Sequence, residues 1–132
     1  MSRILIAEDN AINRELLREL LEARGYEVEE ACDGKEALDM IERTQPDILL
    51  LDIGMPVLDG FGVVRALREN PLLAMLPAVA VTAYAMQGDR ERILSAGFDG
   101  YLSKPVNAAC LAEELDRLLG ERNKKARAAS SE

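Results

Sequence analysis

Ile48-Leu49-Leu50-Leu51-Asp52-Ile53-Gly54-Met55-Pro56 is the stretch on which the fold turns. Its first four residues form an apolar run without alternation, the pattern of a short parallel strand that helices bury on both faces. An acid ends the run. Val79-Ala80-Val81, closed by Thr82, repeats the pattern, and further strand-like runs are Ile4 to Ala7, Val28 to Ala31 and Gly100-Tyr101-Leu102.

Helical patterns lie between these runs. Ile12, Leu16, Leu17, Leu20 and Leu21 recur at helical spacing, with Gly25 placed to terminate the helix. A second helix is expected over about Lys35 to Arg43, after Asp33-Gly34, which reads as a turn. A third covers about Phe61 to Glu69 and stops before Pro71, because the residue preceding proline avoids the helical region. A fourth runs from about Asp89 to Ser95 and ends at Gly97. The fifth follows Asn107, a good N-cap, and carries Leu111, Leu115, Leu118 and Leu119 on one stripe.

Five βα units joined by right-handed crossovers predict an α/β fold: a doubly wound five-stranded parallel sheet, strand order 2-1-3-4-5, with five helices. In such sheets ligands bind beyond the carboxyl ends of the strands, at the point where the strand order reverses.

Composition bounds the function. A chain of 132 residues suits one domain, with 48% apolar and 30% charged residues in an ordinary globular balance. The domain is expected over residues 1–120. Residues 121–132, charged and small with no apolar stripe, read as a frayed helix end and a flexible tail. A net charge of −8 opposes nucleic acid and anionic membrane surfaces. No apolar run is long enough to span a bilayer, and Met1-Ser2-Arg3 leads into a strand without a signal peptide, so a cytoplasmic location is expected. Cys32 and Cys110 are too far apart for a metal motif and read as two reduced thiols. With no histidine, imidazole bases, most zinc sites and an internal phosphohistidine are absent.

The chemistry lies at the strand ends. Glu8 and Asp9 follow the first strand, Asp52 the third, Thr82 closes the fourth and Lys104 comes just after the fifth. In the order 2-1-3-4-5 the first and third strands are neighbours, so the three carboxylates meet at the switch point, where they repel unless protonated or neutralised by a cation. An all-oxygen set points to Mg²⁺, which takes one or two carboxylates, waters and a phosphate oxygen. A carboxylate so placed can attack a phosphoryl group while a lysine and a hydroxyl stabilise the equatorial oxygens. Each acid taken alone would pass as a helix cap and Lys104 as a surface charge; five such residues at successive strand ends are hard to explain as accidents.

Taken together, Glu8-Asp9-Asn10, Asp52-Ile53-Gly54-Met55-Pro56 with Asp59-Gly60, Thr82-Ala83 and Lys104-Pro105 resemble the receiver domain of response regulators in two-component signalling, over residues 3 to 120. The resemblance implies the flavodoxin-like fold that this CheY-like superfamily shares. It implies that Asp52 is the phosphoryl acceptor, that Asp9, Asp52 and the Gly54 carbonyl bind Mg²⁺ (Mn²⁺ substituting), and that Glu8 acts through a metal-bound water. It makes Lys104 the partner of the phosphoryl oxygens, the Lys104-Pro105 bond cis, Thr82 the switch hydroxyl and Tyr101 the switch aromatic. Gly54, Ala83 and Tyr84 fall where phosphoryl lifetime would be tuned. Met55-Pro56 and Asp59-Gly60 read as loop and helix-start chemistry.

The implied phosphodonor is a histidine kinase or histidine phosphotransfer protein, and the implied target a downstream effector protein or kinase, without direct nucleic acid or membrane binding. The implied output surface is the fourth helix, fifth strand and fifth helix, roughly residues 86 to 119. A freestanding regulator and a receiver cut from a hybrid kinase both fit, as do a monomer and a phosphorylation-dependent dimer. Three alternatives compete. A haloacid-dehalogenase-like phosphatase expects a second acid where Gly54 stands; a flavodoxin-like cofactor binder expects a phosphate-friendly first loop where Glu8-Asp9 would repel; a receiver that docks without phosphorylation does not need Asp9, Asp52, Thr82 and Lys104 intact.

Overall fold

The computed structural model describes residues 2–83 and 87–130, with side chains for these except at 87, 88 and 121–130. The elements alternate as β1 (Arg3–Ala7), α1 (Ala11–Glu22), β2 (Glu27–Ala31), α2 (Gly34–Thr44), β3 (Ile48–Asp52), α3 (Gly60–Glu69), β4 (Ala78–Thr82), α4 (Gln87–Ser95), β5 (Gly100–Ser103) and α5 (Ala108–Ser130). The strands pair in parallel in the order β2-β1-β3-β4-β5. β3 and β4 are buried at every position, which is why neither shows polar alternation.

Alternate residues of each strand point to opposite faces, and the core divides accordingly. Leu5, Leu49, Leu51 and Ala80 pack with Ile41 of α2, Val64 and Leu67 of α3 and Ile93 of α4. Ile4, Ile6, Leu50 and Val81 pack on the other face with Leu17 and Leu21 of α1 and Leu111 and Leu115 of α5. The edge strand β2 is charged: Glu27 and Glu29 lie 3.4 and 3.6 Å from Arg3, and Glu30 lies 2.8 Å from Arg18. Charge on an edge discourages pairing with another chain.

Capping follows the sequence signals at three helices. Asn10, Asp59 and Asn107 each accept backbone N–H groups of the following first turn. Gly25 (φ +88) and Gly97 (φ +114) adopt the left-handed conformation that releases the chain after α1 and α4.

Two expectations are corrected. Asp33-Gly34 is not a turn between elements: Asp33 caps α2, its side chain accepting the Glu36 N–H at 2.8 Å, and Gly34 is the first helical residue. The Asp-x-x-Glu spacing of a capping box outweighs the turn preference of the dipeptide. In addition, α5 does not end near residue 120 but continues to Ser130. Its last turns are rich in Ala, Lys and Arg, whose intrinsic preference is helical even without an apolar stripe.

The start of α3 is pressed against the end of β3. A Cβ on Gly60 would sit 2.9 Å from the Asp52 carbonyl oxygen and 3.0 Å from the Ile53 Cα, whereas a Cβ on Gly54 would meet nothing nearer than Asp52 Oδ1 at 3.7 Å. Gly60→Ala therefore lowers stability by about 2 kcal/mol, although alanine is the better helix former, because backbone must move to admit the methyl group. Gly54→Ala changes it by less than about 0.5 kcal/mol. Urea unfolding of the two variants beside the parent chain measures both.

Candidate functional site

Three loops at the carboxyl edge of the sheet bring the site together. β1 ends at Ala7, and the backbone N–H of Glu8 still bonds to the Ala31 carbonyl at 3.1 Å, so Glu8 is held as an extension of the strand. Glu8 is 1% exposed, while Asp9 is exposed. β3 ends on Asp52, 7% exposed, and the Ile53 N–H donates to the Val81 carbonyl. Carboxylate oxygens of Glu8, Asp9 and Asp52 come within 4.8 Å of one another.

Lys104 reaches these acids from the far side. The backbone N–H of Lys104 donates to the Thr82 carbonyl at 2.8 Å, and the Lys104-Pro105 peptide is cis, as expected. Its Nζ lies 3.0 Å from Glu8 Oε1 and 3.2 Å from Asp52 Oδ2. Asp52 Oδ1 accepts the Gly54 N–H at 2.9 Å. Glu8 Oε2 is buried and meets no hydrogen-bond partner among the described residues.

One ammonium cannot neutralise three carboxylates, and the ionisation equilibria show it. Burial, followed by the adjacent Asp52 carboxylate, pushes Glu8 up to about 7, and Lys104 offsets only part of this. Burial also pushes Asp52 up, but the proton carried by Glu8, the Gly54 N–H and Lys104 together outweigh it and hold Asp52 below the usual carboxylate range. Burial pulls Lys104 down, and its contacts with Glu8 and Asp52 more than reverse that. Glu8 thus holds its proton to higher pH than an ordinary carboxyl group. Three converging carboxylates, one with an orphaned buried oxygen, form an all-oxygen set that suits a hard divalent cation such as Mg²⁺.

The remaining predicted residues fall around this cluster. Thr82, 1% exposed, ends β4 one residue beyond Val81, the register partner of Asp52. Ala83 follows it, exposed, and Tyr84 lies outside the described residues. Tyr101 sits on β5, half-buried against the face of the sheet that α2, α3 and α4 cover. Cys32 and Cys110 are free and exposed. No helix among the described residues is long and apolar enough to cross a membrane.

Two contributors escape sequence reading. Arg14 of α1 donates to the Glu8 carbonyl at 2.9 Å and stands 3.6 Å from Glu30, bracing the acidic loop against β2. Gly60 lets α3 approach the backbone of Asp52. The Asp-Gly start of α3 hints at the second; for Arg14 only the folded loop reveals the contact. Val57 is also unexpected: it adopts φ +68, and the Leu58 N–H closes on the Pro56 carbonyl at 2.7 Å, a tight and strained turn in the loop after Asp52.

A parallel sheet with acids converging at its switch point and a lysine over them defines a receiver, and the chain belongs to the response regulator receiver domain family, whose sequence profile matches residues 4–116. It is 41% identical over 118 residues to the polar-differentiation response regulator DivK of Brucella anthropi, covering 89% of this chain and 96% of DivK. Among solved structures it is similar to the receiver domain of the sensor histidine kinase PA1611 from Pseudomonas aeruginosa PAO1, at TM-score 0.83 and 39% identity, covering 90% of this chain and 98% of that one. That structure holds a magnesium ion in its active-site cleft. The chemotaxis regulator CheY4 of Vibrio cholerae matches at TM-score 0.83 and 31% identity, over 89% of this chain and 98% of its own.

The raised Glu8 carries a stability consequence. Its value in the folded, metal-free protein, about 7, exceeds the ordinary 4.5. The stability that protonated Glu8 contributes is therefore fully present below pH 4.5 and lost as pH rises through 7. Glu8→Gln keeps the protonated shape at every pH, so its stability relative to the parent rises by on the order of 3 kcal/mol between pH 4.5 and pH 8. Urea unfolding in the presence of a chelator across that range checks the sign and the window.

Proposed function

We propose that this receiver is the phosphoacceptor of a two-component phosphorelay, with Asp52 taking a phosphoryl group from a phosphohistidine of a histidine kinase or histidine phosphotransfer protein. The observation that carries the reading is the Lys104 ammonium bridging Asp52 Oδ2 and Glu8 Oε1 at 3.2 and 3.0 Å, with Asp9 converging on the same point. Asp52 is the member of the cluster both buried enough to exclude water and held ionised, as a nucleophile must be.

Asp9, Asp52 and the Gly54 carbonyl are the residues to hold Mg²⁺, with Glu8 acting through a coordinated water; Mn²⁺ offers the same oxygen chemistry. When bound, the cation neutralises charge on the transferring group. In the transfer an Asp52 carboxylate oxygen forms a bond to phosphorus as the phosphorus–nitrogen bond of the donor breaks, and the imidazole leaves with the bonding pair. Lys104 stays paired with the phosphoryl oxygens, and the Gly54 N–H keeps the carboxylate oriented. The open space beside Gly54 leaves room for the water that later hydrolyses the acyl phosphate, so Gly54, with Ala83 and Tyr84, tunes its lifetime.

Phosphorylation adds about −1.5 to −2 charges at Asp52. Thr82, one position past the register partner of Asp52, is drawn to the new acceptor oxygens, and Tyr101 turns inward into the space released. The surface of α4, β5 and α5 carries the signal to an effector protein or kinase. The protein is then a cytoplasmic switch that catalyses only its own phosphorylation and dephosphorylation, its receiver domain spanning residues 1–120. DivK, which the chain spans nearly completely, and the histidine-kinase receivers it resembles represent the freestanding and hybrid settings.

The test uses the full chain with Mg²⁺ and beryllofluoride, then with a phosphohistidine donor. Saturable NMR shifts around Asp52 and Tyr101, and one phosphoryl group gained from the donor, are expected, both lost in Asp52→Asn. Thr82→Ala is expected to accept the phosphoryl group yet leave the Tyr101 resonances in place. Phosphoryl transfer to Asp52→Asn, or none to the parent chain from any cognate donor, contradicts the reading.

A further inference from the structure

α4 is anchored differently from the helices around it. α2 buries Ala37 and Ile41, and α3 buries Val63, Val64 and Leu67, but among the described side chains of α4 only Ile93 is buried. Arg90, Glu91, Arg92, Leu94 and Ser95 are exposed. In place of an apolar stripe, two arginines lie over aromatic rings. The guanidinium carbon of Arg90 is 5.9 Å from the ring centroid of Tyr101 on β5, and that of Arg92 is 5.1 Å from the ring centroid of Phe61 on α3. Phe61 in turn meets the buried Phe98 edge-on, with centroids 5.8 Å apart and planes at 80°.

These contacts tie α4 on one side to the strand that leads to Lys104 and on the other to the helix that begins behind Asp52. We propose that Arg90 and Arg92 are positioning residues of the switch, clasping α4 in the resting arrangement through the rings of Tyr101 and Phe61. The role rests on the reading of Tyr101 as the switch aromatic. A guanidinium is attracted to the face of a ring, and a Tyr101 ring that turns inward no longer presents that face to Arg90. The Arg90 arm of the clasp is therefore present in one state and absent in the other, and such a contact biases the equilibrium by its own strength, while Arg92 over Phe61 anchors the helix. Exposed cation–π contacts of this kind shift an equilibrium by about two- to five-fold each.

The experiment compares the full chain with Arg90→Gln, Arg92→Gln and the conservative Arg90→Lys and Arg92→Lys. Amide hydrogen exchange in the metal-free protein reads the clasp itself, and titration with beryllofluoride at saturating Mg²⁺, followed by amide shifts beside Asp52, reads its coupling to the switch. Each Gln variant is expected to speed exchange of the α4 amides by about three-fold while the α3 amides stay protected. Arg90→Gln is also expected to tighten apparent beryllofluoride affinity by about the same factor, with Arg90→Lys falling between Gln and the parent. Unchanged α4 exchange in both Gln variants overturns the clasp, and faster exchange in Arg90→Gln with unchanged or weakened beryllofluoride affinity overturns its assignment to the resting state. A parent chain that ignores beryllofluoride contradicts the receiver reading instead, and α4 exchange still decides the clasp.

Discussion

Three carboxylates meet one ammonium at the carboxyl edge of the sheet, and this charge imbalance is the constraint on which the rest of the molecule depends. Left alone it is relieved by a proton on Glu8, whose value rises to about 7. A proton removes one negative charge but adds no positive one to a pocket that holds three acids. A divalent cation relieves the repulsion without asking any acid to give up its charge. Lys104, within 3.2 Å of both Glu8 and Asp52, ties the charge on each of these acids to that on the other.

The fold exists around that constraint. Parallel pairing of β1 with β3 sets Glu8 and Asp52 side by side, and the pairing of β3 with β4 and β4 with β5 carries Thr82 and Lys104 to the same edge. Buried strands make the platform rigid; the acids sit where each strand stops being apolar. Local devices then fix the loops: Arg14 on the Glu8 carbonyl, Asn10 and Asp59 as helix caps, and the absence of a side chain at Gly60. α4 is the exception, with a single buried side chain among those described.

Much of this is legible in the sequence, for physical reasons. Ile48 to Leu51 and Val79 to Val81 announce buried parallel strands because a strand covered on both faces cannot alternate. Asp52, Thr82 and Lys104 are legible because polar residues directly after such strands have only one edge to occupy. The α2 start is less legible, since Asp-Gly serves turns and caps alike, and the folded chain shows Asp33 as the cap, accepting the Glu36 N–H. The length of α5 is illegible from periodicity, because its last turns bury no stripe and follow only intrinsic preference. The sequence names three acids but not their division of labour: that Glu8 is buried and proton-loaded while Asp9 is exposed depends on a loop conformation set by Arg14 and the Ala31 carbonyl.

Proton release on metal binding tests the central claim most directly. Calorimetric titration of the full chain with Mg²⁺ at pH 6.5, repeated in buffers of different ionisation enthalpy, counts the protons expelled per ion. Because Glu8 holds its proton up to about pH 7 in the metal-free state, binding is expected to expel more than about half a proton per ion, and Glu8→Gln to abolish the release. Mg²⁺ binding without proton release, or release that persists in Glu8→Gln, would contradict the account.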